Sequence, residues 1–103
     1  VRMTPSIAQT VVAVFTASNL KTAFMFQVQQ AQELALAVNL QRKYAVQFEV
    51  SQHGIFCDSW LAHRNAQHES HRQLACFYTQ PSGPTQLSAI VEHLTALLQE
   101  SAQ

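Results

Sequence analysis

Glycine is nearly missing from this chain: Gly54 and Gly83 are its only two in 103 residues, and they lie far apart. No glycine-rich loop can therefore cradle a phosphate, which excludes the usual nucleotide-binding fingerprints. Charge is scarce too, at 12% of residues, where roughly 25% is typical. Six Lys and Arg balance six Asp and Glu, and neither sign forms a run. Nucleic-acid binding draws on a positive field, and a polybasic membrane contact needs clustered cations. Neither partner is expected here. No apolar run approaches the length of a membrane span.

Cysteine is limited to Cys57 and Cys76, too few for a disulfide scaffold. Both sit in apolar runs where a free thiol behaves as a small hydrophobe, so a reducing, cytoplasmic setting is expected. A Cys57 nucleophile would need an exposed, electropositive surrounding that such a run does not offer. His63, His68, His71 and His93 supply one His-x-x-His, at 68 and 71. A zinc site needs about four tetrahedral ligands, and neither cysteine has a near neighbour of that kind. No metal and no cofactor are expected. The polar stretch from His63 to Gln73 reads instead as an exposed connection that gains positive charge below about pH 6.

What dresses the surface is amide. Gln27, Gln29, Gln30 and Gln32 crowd into one short stretch. Such a surface carries little charge repulsion to hold molecules apart, which favours self-association. The chain length supports one domain, residues 1–103, with one modest core.

Along the chain, Thr4-Pro5 offers a capping hydroxyl and a proline at a first helical position. Ile7, Val11, Val14 and Phe15 follow at helical spacing. The β-branched run Thr10-Val11-Val12 argues for a strand over Thr10–Thr16, which leaves β-α-β-β-β-α as the alternative order. The apolar residues from Thr10 to Ala17, with Arg2 ahead, resemble a signal sequence; the helical period of Gln9, Thr10 and Thr16 favours mature structure. Ser18-Asn19 offers a second cap, and a helix is expected from Leu20 to about Arg42. Its apolar face carries Phe24, Val28, Ala31, Leu34, Ala35 and Val38, with Arg42 and Lys43 suited to its C-terminal dipole.

At Tyr44 the period switches to two. Tyr44, Val46, Phe48 and Val50 alternate with Ala45, Gln47, Glu49 and Ser51, as in a half-buried strand. A tight turn at His53-Gly54, with Gly54 at positive φ, begins a second strand that runs to Ala62. A third strand is expected from Leu74 to Thr79. Pro81-Ser82-Gly83-Pro84 breaks the chain before a last helix striped with Leu87, Ile90, Val91, Leu94, Leu97 and Leu98. The fold class is α+β, in the order α-α-β-β-β-α: a three-stranded antiparallel meander packed against helices.

A two-residue turn at His53-Gly54 would set Val50 opposite Cys57 and Phe48 opposite Ser59, facing the helices. On the other face Glu49 would oppose Asp58, Gln47 would oppose Trp60, and Ser51 would oppose Phe56. Paired carboxylates beside aromatics suit a cationic or amine-bearing ligand, or a shared proton. Phe56 and Trp60 equally suit a packing surface against a second subunit. The leading expectation is a small non-enzymatic binding or protein-interaction module acting as a homodimer, with no catalytic residue. The alternative is a small-ligand binding protein or minor enzyme built on Glu49, Asp58, Trp60, Phe56 and Gln47.

Overall fold

A computed structural model describes residues 4, 6–63, 71–78 and 80–101. Helices α1 (Ile7–Ala17) and α2 (Thr22–Gln41) come first, then strands β1 (Tyr44–Val50), β2 (Gly54–Leu61) and β3 (Arg72–Phe77), then helix α3 (Gly83–Ser101). The strands form one antiparallel sheet in the order β1-β2-β3. The expected order and meander are present, and the first segment is a helix rather than a strand. No single helix among the described residues is long and apolar enough to cross a membrane.

Helix periodicity places the core. Ala31, Ala35 and Val38 of α2 are buried, and Leu87, Ile90, Leu94 and Leu97 of α3 face them. α2 packs over β1 and α3 over β3, so both helices cover one face of the sheet. That face contributes Val46, Ile55, Cys57 and Cys76, all buried. Side-chain amides tie the helices to both edge strands. Asn39 Nδ2 donates to Val46 O at 2.9 Å, and Asn39 Oδ1 accepts from Val46 N at 2.8 Å. On the other edge, Phe77 N donates to Gln86 Oε1 at 2.9 Å.

Helix ends differ from expectation. Ser6, not Thr4, caps α1: Gln9 N donates to Ser6 Oγ at 3.1 Å, and Ser6 N donates to Gln9 Oε1 at 2.9 Å. The reciprocal pair satisfies two orphan amides at once, which a lone threonine cannot do; Pro5 lies outside the described residues. Ser18-Asn19 ends α1 instead of starting α2. Asn19 adopts a left-handed φ of 65°, and Leu20 N reaches Phe15 O at 2.9 Å while Asn19 N reaches Thr16 O at 3.1 Å. This is the bond pattern of a Schellman ending, a conformation that asparagine tolerates. α2 starts later, at Thr22, with Lys21 as its cap and no side-chain bond. β3 starts at Arg72, earlier than Leu74, and ends at Phe77; Thr79 is outside the described residues.

The hairpin corrects the predicted register. Its turn centres on Gln52-His53, because Val50 pairs with Ile55 and Ser51 N donates to Gly54 O at 2.8 Å. The Ser51 hydroxyl closes the loop, accepting from His53 N at 3.2 Å and Gly54 N at 3.3 Å. Gly54 has no positive φ. It is there for space: a Cβ on it would lie 2.3 Å from Cys76 O. Register therefore shifts by two residues, so each side chain keeps its face while every partner changes. Phe48 opposes Cys57, Val46 opposes Ser59, Gln47 opposes Asp58 and Glu49 opposes Phe56.

α1 stands apart. None of its residues is buried, and the chain bends by 113° between α1 and α2. The radius of gyration is 15.9 Å, against about 13 Å for a compact domain of this length.

Candidate functional site

Among the described residues, no helix packs on the second face of the sheet. Alternation from Gly54 sends Phe56, Asp58 and Trp60 of β2 to this side, with Ala45, Gln47 and Glu49 from β1 and Gln73, Ala75 and Phe77 from β3. Asp58 Oδ1 sits 2.9 Å from His71 Nε2, and the His71 ring lies 6.3 Å from Trp60. Phe56 meets Phe77 edge-on at 5.8 Å. Glu49 and Gln47 are exposed, whereas Phe56, Asp58 and Trp60 are half-buried.

Glu49 and Asp58 thus share a face but do not oppose one another. The carboxylate expected to pair with Glu49 is engaged by His71, a partner the sequence reading treated as part of a loop. Among the described residues, no three of His, Cys, Asp and Glu gather as a metal-binding group. His68 and the segment 64–70 lie outside those residues. Cys57 points into the core as expected, and burial with the Asp58 charge pushes its thiol up to about 11. At neutral pH it stays protonated and is a poor nucleophile.

A second constellation escaped the sequence reading. Ser59 Oγ and His93 Nε2 share a hydrogen bond of 2.8 Å between β2 and α3. Ser59 is 2% exposed. The pair lines a small pocket of about 260 Å³ with Tyr44, Leu61, Arg72 and Leu97. One signal could have found it. Ser59 is the polar exception on the inward face of β2, and His93 interrupts the apolar stripe of α3; two such exceptions facing a core must find each other. The spacing is that of a nucleophile and base, but the charge acting on the ring is the cation of Arg72, not a carboxylate. The arrangement serves as a polar lock between sheet and helix.

Burial, then the Arg72 charge, hold His93 below the ordinary value of 6.5. The folded state therefore prefers the neutral ring. Its contribution to stability is complete above the unfolded value of about 6.5 and declines as pH falls towards the folded value. Wild-type Tm is expected to drop between pH 7 and pH 5 by more than the Tm of His93→Gln; equal drops would remove His93 from the acid response. Ser59→Ala leaves the ring nitrogen without its partner and should cost about 1–3 kcal/mol in urea unfolding.

A third feature is a groove of about 870 Å³ between α1, the start of α2 and the hairpin. Val11 and Val14 form one wall; Phe24, Val28, Val50 and Ile55 lie across from them. Among the described residues, its lining contains no charged side chain. No protein-family model matches the chain, and no curated protein or solved structure matches it either.

Proposed function

We propose that the chain is a small non-enzymatic interaction module that works as a homodimer. One observation carries this reading: α1 is an apolar helix with no buried residue. Ile7 is 81% exposed, and Val12 and Val14 are more than half exposed. A helix of 11 residues is shorter than the roughly 12–15 at which isolated helices become even marginal in water. Its stability has to come from packing, and a single copy buries none of its residues. Exposed Phe26, Leu36 and Leu40 on α2, and Val50 at the end of β1, extend the same character.

The small-ligand alternative draws less support. Asp58 is already bonded to His71, Glu49 stands across from Phe56, and the groove and pocket described above lie elsewhere. Light scattering at tens of micromolar is expected to give twice the 11.5 kDa chain mass. A mass of one chain under those conditions would sink the proposal.

A further inference from the structure

Self-association as proposed above requires a surface, and the groove beside α1 has the shape and chemistry for one. It is walled by the apolar stripe of α1 on one side and by α2 and the hairpin on the other. At a helix diameter of about 10 Å, a volume of 870 Å³ corresponds to roughly two helical turns. α1 itself is three turns long and contains no charged residue. Among the described residues of this groove, a charged peptide or a nucleic acid would find no opposite charge. An uncharged apolar helix fits it, and the chain carries one.

The exposed area points the same way. The chain exposes 7383 Å², whereas a folded monomer of its mass exposes about 5,800 Å². The excess is roughly 1,600 Å² per chain, about twice the 800 Å² or so that each partner contributes to a standard interface, so one chain exposes enough surplus surface to supply its side of such a contact.

Resting on the homodimer reading, we propose that α1 of a second copy of this chain fills the groove, reciprocally. Two arm-in-groove contacts related by a two-fold axis then bury both copies of α1 and both grooves. The contact is isologous, so it closes at two copies and does not propagate. It leaves Trp60 and the open face of the sheet outside the interface.

Three full-length variants test this beside the wild type, by light scattering from 1 to 100 µM with circular dichroism. Val11→Asp/Val14→Asp places charges in the contact, and these residues are 40% and 56% exposed in a single copy, so the core of α2, the sheet and α3 stays folded. Its dimer Kd is expected to rise at least about a hundredfold, because unpaired charges resist burial. Val11→Ala/Val14→Ala, which suits the helix better, should raise Kd about tenfold by removing apolar area. Trp60→Asp should leave Kd unchanged. A dimer that persists in Val11→Asp/Val14→Asp overturns the arm contact but leaves homodimerisation standing. A dimer lost in Trp60→Asp and kept in Val11→Asp/Val14→Asp moves the interface to the sheet and overturns it too. A monomeric wild type overturns both readings. If that monomer also sediments with phosphatidylcholine vesicles, the arm belongs to a lipid surface.

Discussion

Gly54→Ala is expected to be the most damaging single methyl in the molecule, costing about 3 kcal/mol, the upper end of ordinary overpacking. The added Cβ would sit 2.3 Å from Cys76 O, a backbone atom of the neighbouring strand. Flexible side chains can swing aside from such a clash, but a strand carbonyl cannot. β3 is held at this point from two directions: the Cys76 thiol donates to Gly83 O at 3.2 Å, and Phe77 N donates to Gln86 Oε1 at 2.9 Å. Relief must separate β2 from β3 or displace the start of α3. Since whole domains are stable by only about 5–15 kcal/mol, the urea midpoint should fall by a large fraction of its value. A loss under about 0.5 kcal/mol would show that the strands part without cost and that Gly54 is not there for spacing.

Leu94→Ala should cost about 2–5 kcal/mol, the range for removing a buried leucine and leaving a cavity. Leu94 is fully buried in α3, flanked along the helix by the buried Ile90 and Leu97. Leu40→Ala is the matched control: this leucine is 71% exposed on α2. Its effect on monomer stability should stay within about 0.5 kcal/mol. Chemical denaturation of the two variants side by side checks the assignment of the core. Similar losses would mean that the outer side of α2 is covered in the protein as it exists.

Much of the fold could be read from spacing. The stripe from Leu87 to Leu98 and the face from Phe24 to Val38 have the helical period, and both pack as that period requires. The alternation from Tyr44 to Val50 also identified the inward side of the hairpin. That side survived a register error because the error was two residues, a whole period of a strand. The error came from reading Gly54 locally. A glycine after a polar residue between two strands suggests a turn, but Gly54 answers to Cys76, whose approach no local pattern reveals. Ser18-Asn19 failed in a related way: the same residues can open a helix or close one, and the choice depended on whether Asn19 went left-handed.

The site was harder to read for physical reasons. Its geometry depends on which residues lie opposite, and a shift of two replaced Asp58 with Phe56 across from Glu49. His71 reaches Asp58 only because β3 folds back beside β2, a contact the loop reading had not placed. The exposure of α1 is a property of what does not pack against it. An amphipathic stripe predicts that a helix wants a partner, not whether that partner belongs to the same chain.

The amide of Asn39 has a consequence beyond the fold. A bare edge strand is a template: another strand can add to it, then another, and the product is a fibre with no natural end. Asn39 occupies both the donor and the acceptor of Val46, in the middle of β1, as an incoming strand would. Gln86 takes the amide of Phe77 near the end of β3. Each terminus of the sheet is thus interrupted by a side chain from its own helix. A protein so rich in glutamine and so poor in charge is thereby steered away from backbone polymerisation, and any contact between its copies is left to side chains.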